Sequence, residues 1–160
     1  MKRAKKAVIS ALAIGLSVGA VWAAVSSRPS PGVDPRAALG RWLTESGNLE
    51  IEIAPCGPSL CGTVVAVRSN RSMGAPDKEM KPVDTRSPMG MKILHGFVPT
   101  ADGAWDGRIY NRENGRTYDC LITPMAPDRL SVRGYKFLPL LGKSQVWTRL
   151  AAVPPPTGAP

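Results

Sequence analysis

Beyond residue 40 hydrophobic and polar side chains take turns along the chain. Leu49, Ile51 and Ile53 alternate with Asn48, Glu50 and Glu52, the period of two expected of a strand with one buried and one solvated face. Residues 61–68 follow, with valines on both faces, and Lys92–Val98 is a weaker strand that carries His95. Trp105, Gly107 and Ile109 then alternate with Asp106, Arg108 and Tyr110. Tyr118, Cys120 and Ile122 share one face of the next strand, with Asp119 on the other. Leu130, Val132 and Gly134 alternate with Ser131, Arg133 and Tyr135 in a strand over 129–137, and Gln145–Leu150 makes the last. Gly57-Pro58, Ala101-Asp-Gly103, Asn111–Gly115 and Pro139 with Gly142 supply turn chemistry between them. Pro124–Asp128 breaks the pattern, because proline lacks the amide that a ladder uses. Short strands joined by hairpins predict an antiparallel meander, since parallel neighbours need long crossovers.

The two ends of the chain read differently. Lys2, Arg3, Lys5 and Lys6 precede an uncharged, mostly apolar run over 7–25, the pattern of an export signal. Val21-Trp22-Ala23 and Ala24-Val25-Ser26 are both acceptable cleavage sites, and the run is long enough to stay as an inner-membrane anchor instead. Residues 26–38 form a Ser/Pro/Gly-rich linker and 151–160 a Pro-rich tail, leaving one domain over 39–150. The chain has a net charge of +9, which falls by four, to +5, without the basic head. The remaining charges are mixed in sign, with no dense basic patch for nucleic acid.

Cys56 and Cys61 flank the Gly57-Pro58 turn in a chain addressed to an oxidising compartment, which predicts a structural disulfide. Their spacing is not the C-x-x-C of redox or zinc sites. Cys120 is left over, as a buried inert thiol or an alternative bridge partner. There is no Gly-rich phosphate loop, no H-E-x-x-H and no Gly-x-Ser-x-Gly. Metal ligands are scarce, with one histidine and three cysteines, and no metal or cofactor is expected. Asp106 and Asp119 could converge across a hairpin but read as solvated outer-face charges. These observations point away from an enzyme.

Several pieces together carry a resemblance: Gly40-Arg-Trp42, the CGPSLCG segment over 56–62, Gly107–Tyr110, Gly115–Tyr118, Val132–Tyr135 and Leu141–Arg149. They are similar to the bacterial envelope family labelled domain of unknown function 2147, DUF2147, whose members resemble lipocalins in fold. The resemblance implies an all-β, antiparallel, lipocalin-like (calycin-type) barrel of about eight strands, preceded here by an N-terminal signal helix, in a periplasmic or secreted setting. It implies no reaction. It also implies that Trp42 closes one end of the barrel and stacks on a basic side chain of the last strand, for which Arg149 is the match. Such a pair is worth about 0.5–2 kcal/mol.

Two arrangements of the last strands stay open. Arg133 and Tyr135 share one face, and Gln145, Trp147 and Arg149 another. Facing inward they would line a polar-aromatic cavity able to hold an anionic amphiphile; facing outward they would leave Leu130, Val132, Val146 and Leu150 to fill a solid core. An eight-stranded barrel can do either. The expectation is a small hydrophobic or amphipathic ligand, lined or gated by Trp105, Arg133, Tyr135 and Trp147. The rival is a closed-core module that docks a protein partner through the long loop over 68–91, which holds Met73, Met80, Met89 and Met91. That loop is expected to act as a lid over a barrel mouth. Oligomeric state is not legible.

Overall fold

The structure is a computed structural model that describes Asp34 and residues 36–151. The expected signal helix, most of the linker and all but the first residue of the tail lie outside the described residues. Eight strands follow in order: β1 (Gly40–Leu43), β2 (Leu49–Cys56), β3 (Ser59–Val67), β4 (Lys92–Pro99), β5 (Trp105–Asn111), β6 (Arg116–Ala126), β7 (Arg129–Tyr135) and β8 (Lys143–Arg149). Each pairs antiparallel with the next, and β8 returns to β1, so the sheet closes into a barrel. Closure leaves no open sheet edge.

One expected break is not a break. Pro124 lies inside β6 opposite Leu130, and the register shifts just beyond it, between Pro124 and Ala126. The missing amide falls beside a bulge, where a ladder tolerates it.

The register settles which faces turn inward. Leu130 pairs with Trp147 and Val132 with Gln145, and directly opposed residues share a face. Leu130, Val132 and Trp147 are all buried. Neither arrangement drawn from the sequence is therefore complete: the inner face combines the Leu130/Val132/Gly134 set of β7 with the Gln145/Trp147/Arg149 set of β8. Arg133 and Tyr135 lie on the outer face.

The barrel has two unlike ends. At the base are the 57–58, 100–104 and 127–128 turns and the incoming Arg36–Leu39. Trp42, Ile51, Ile53, Leu60, Phe97 and Trp105 pack that half solidly. Packing is close enough to require glycine: a Cβ on Gly107 would sit 2.7 Å from the Phe97 ring and 2.9 Å from the His95 carbonyl oxygen.

The base is sealed by Arg149. Its guanidinium lies 4.2 Å from the centre of the Trp42 ring. Nε donates to the Pro127 carbonyl, Nη1 to Leu39 and Nη2 to Ala37, each at 2.6 Å. The Trp42 indole donates to Ala38 at 2.9 Å. Three successive carbonyls of the incoming segment are thus satisfied by one stacked pair. Gly40 adopts φ 109°, and a Cβ there would meet Arg149 Nη1 at 3.0 Å, so a side chain would disturb the stack. The Cys56–Cys61 disulfide closes the β2–β3 hairpin, with Cα atoms 5.7 Å apart. Cys120 is free and fully buried, and burial pushes its thiol up to about 12.

Candidate functional site

The other half of the barrel is hollow. A cavity of about 790 Å³ opens toward the mouth, within the roughly 300–1,000 Å³ range of small-molecule sites. Its wall is apolar: Leu49, Val64, Ile93, Ile109, Val132 and Trp147 reach it from six different strands. Trp147 donates from its indole to Gln145 Oε1 at 2.9 Å, which satisfies the one polar atom of the ring and leaves its faces for packing. Gly134 also lines the cavity, and a Cβ built there meets nothing closer than Ile109 Cγ2 at 3.5 Å. The wall is open at that point because the residue has no side chain.

The 68–91 loop crosses the mouth. Met73, Met80, Pro88 and Met91 border the cavity from it, and unbranched thioethers adapt readily to an irregular surface. Side chains at the mouth anchor the loop at several points. Asn48, buried in the β1–β2 turn, donates to the Arg71 carbonyl at 2.7 Å and accepts from Ser69 Oγ and the Arg71 amide. Glu113, in the β5–β6 turn, accepts from Ser72 Oγ at 2.5 Å and from the Met73 amide at 3.1 Å. Tyr110 donates its hydroxyl to Asp84 Oδ2 at 2.8 Å. Asp84 also pairs with Arg86 through Oδ1 at 2.9 Å and Oδ2 at 2.6 Å. The Arg86 guanidinium, seconded by the Tyr110 hydroxyl, holds the Asp84 carboxyl well below the usual carboxylate range.

The residues expected to line a site separate into three groups. Trp147 lines the cavity. Tyr135 borders it at the rim, while its hydroxyl lies on the outer side, 3.4 Å from Asp106 Oδ1. Partial burial, with the nearby carboxylates of Asp106 and Asp119, raises its pKa. Trp105 and Arg133 are not in the cavity. Trp105 is one layer deeper, buried in the packed base with its indole Nε1 lacking a hydrogen-bond partner. Arg133 faces outward, and its guanidinium donates to the carbonyls of Pro139 and Leu140 and to Ser144 Oγ.

Asn48, Glu113 and Tyr110 were not foreseen as site residues. Their partners lie 21 to 41 residues away, so no local spacing announces them. Asp106 and Asp119 are both exposed on the outer face. His95 is half-buried, and burial together with Lys92 and Arg108 lowers its pKa. Among the described residues no group of three or more His, Cys, Asp or Glu side chains is placed to hold a metal ion.

A closed eight-stranded antiparallel barrel, packed at one end and hollow at the other, defines a lipocalin-like architecture. The chain belongs to the family described as uncharacterized protein conserved in bacteria (DUF2147), whose model matches residues 40–149. Among solved structures it is similar to protein HP1028 from Helicobacter pylori, described as belonging to the lipocalin family. That match has a TM-score of 0.55 and 16% identity, and covers 71% of this chain and 83% of the other. It bears on the fold alone. No curated protein matches the chain.

Proposed function

We propose that this protein binds a small hydrophobic or amphipathic molecule in the hollow half of its barrel, as a carrier rather than a catalyst, outside the cytoplasm. The observation that carries this reading is the apolar cavity of about 790 Å³ between the Trp147 wall and the methionine-bearing loop. Burying alkyl surface there is worth about 25 cal/mol per Å² removed from water. Export is supported by the basic head and apolar run at the N-terminus and by the Cys56–Cys61 disulfide, since such bonds persist in oxidising compartments. Among the described residues no helix is long and apolar enough to cross a membrane.

Native mass spectrometry of protein purified from its own host tests the reading, followed by rebinding of long-chain fatty acids and lysophospholipids to delipidated protein. Adducts that leave on delipidation and return saturably are expected. Gly134→Leu places a side chain where the wall is open and should abolish them while preserving the far-ultraviolet spectrum of the barrel. A clean apo mass together with no saturable binding of any amphiphile would overturn the proposal.

A further inference from the structure

The β7–β8 connection, Lys136-Phe-Leu-Pro-Leu-Leu-Gly-Lys143, is unlike the other turns. Phe137, Leu138, Leu140 and Leu141 are 92%, 59%, 85% and 76% exposed. Single exposed hydrophobic residues are ordinary; four within five positions form a patch that calls for a partner. They are held out rather than merely left out. The Arg133 guanidinium grips the carbonyls of Pro139 and Leu140 from below. Pro139–Leu141 form a short 3-10 turn closed by the Gly142 amide on the Pro139 carbonyl. Phe137 adopts φ 67°, alone among the described non-glycine residues in the left-handed region. That backbone strain coincides with an exposed ring, so no buried contact offsets it, a pattern associated with functional sites.

The loop stands at the open end. Phe137, Leu141, Lys136 and Lys143 border the cavity. Val67, Met73, Val83 and Met89 add exposed apolar surface at the same end, against Val98 and Met125 at the base. Lys136 and Lys143 bracket the tip, and neither forms an ion pair with a described acidic residue.

We infer that this loop docks the open end of the barrel on a lipid bilayer bearing anionic headgroups. The Phe137–Leu141 tip enters the acyl boundary, and Lys136 and Lys143 stay at headgroup level, with their stems along the apolar layer and their ammonium groups on lipid phosphate. A protein groove is the less fitting occupant. An apolar tip flanked by two lysines matches the layering of a bilayer, acyl chains beneath anionic headgroups, whereas lysine is depleted at protein–protein interfaces. Docked this way, the mouth faces the membrane, and a ligand can pass between bilayer and cavity without crossing water. The docking stands on the loop itself; the passage of ligand rests on the cavity reading.

Leu140→Cys in the full chain, labelled with an environment-sensitive thiol fluorophore, tests the docking, because Cys120 is buried and Cys56 and Cys61 are bridged. Met125→Cys at the base is the matched control. With vesicles of phosphatidylglycerol and phosphatidylethanolamine, the label at 140 should shift to the blue and be quenched by nitroxides on the acyl chains. The label at 125 should stay in water, even where the N-terminal segment itself holds the chain to the vesicle. Lys136→Glu with Lys143→Glu should weaken the response at 140 by about tenfold or more, as should vesicles of phosphatidylcholine alone. A label at 140 that stays in water on anionic vesicles, or equal responses at 140 and 125, overturns the inference. So does a shift without lipid that tracks a doubling of mass, which would seat a second copy on the loop. Gly134→Leu separates the two readings. Docking that survives it while no amphiphile ever binds removes only the cavity reading; ligand-loaded protein that ignores vesicles removes only the docking.

Discussion

The Tyr110 hydroxyl donates to Asp84 Oδ2 at 2.8 Å, across 26 residues of sequence. It joins the rim of β5 to the far part of the mouth loop, where the backbone pairs Val83 N with the Glu113 carbonyl and Asp84 N with that of Arg112. Tyr110→Phe removes this tie and little else. Limited proteolysis should then cut within 68–91 several-fold faster, while the thermal midpoint of the barrel stays close to that of the unaltered protein, because loop opening is a local event. An unchanged cleavage pattern would show that Tyr110 does not restrain the loop.

Acid should release the same tie late. The Asp84 carboxyl is held below its ordinary value of 3.8 by Arg86 and Tyr110. A carboxyl with a lowered folded pKa contributes stability above its unfolded pKa and loses it as pH falls through the folded value. The loop should therefore keep its full protection from an acid protease above the ordinary carboxylate value and lose it only gradually as the pH falls further. Asp84→Asn should show the loosened state already at neutral pH. Equal cleavage of the two proteins across the whole range would remove Asp84 from the account.

Arg149→Lys tests the seal at the base. Lysine keeps the charge but not the planar fork that stacks on Trp42 while serving Ala37, Leu39 and Pro127. The loss should be about 2 kcal/mol in denaturant unfolding, from the hydrogen bonds to a charged group and the stacking together. A change below about 0.5 kcal/mol would mean that water serves those carbonyls as well as arginine does.

Much of the barrel can be read from alternation alone, because a strand between core and solvent writes its period into the side chains. Leu49–Ile53 and Trp105–Tyr110 are such cases. The direction of each face cannot be read that way. Period two says that Arg133 and Val132 point apart, not which of them points in. The answer lies in the pairing of Leu130 with Trp147, a long-range fact. The same limit explains Trp105: its parity is inward, but its depth along the barrel axis is set by pairing with Ile122, and that depth puts it in the packed half. Trp42 and Arg149 were legible through the family resemblance, since the stacked pair carries a sequence signature at both ends. The anchors of the mouth loop had none. Nor does sequence show that the apolar residues of 137–141 are exposed, because an apolar run with a proline can equally be a buried turn.

Reduction of the Cys56–Cys61 bridge should cost about 2 kcal/mol on the chain-entropy account of a short loop. A Cys56→Ser, Cys61→Ser variant should lose that stability yet leave the proposed amphiphile binding unchanged, since the hairpin lies at the base, away from the cavity. Urea unfolding with and without reductant measures the difference. A much larger loss would mean that the bridge holds more than its own turn.

Gly107→Ala should destabilise the barrel by about 1–3 kcal/mol. The added methyl meets both the Phe97 ring and the His95 carbonyl, and the backbone oxygen cannot step aside as a flexible side chain would. Thermal unfolding reads the effect. A neutral result would show that β4 and β5 separate at little cost near their irregular register between His95 and Val98.

β1 is four residues long and meets β8 through two residue pairs, Trp42 with Arg149 and Leu43 with Thr148. Every other neighbouring pair of strands shares a longer or more extensively bonded border. Amide hydrogens along this border should be the first in the barrel to exchange, and heat should part the sheet there before anywhere else. Two parted molecules can then trade first strands, so the same short border that completes the barrel also sets the route by which concentrated protein would form swapped dimers.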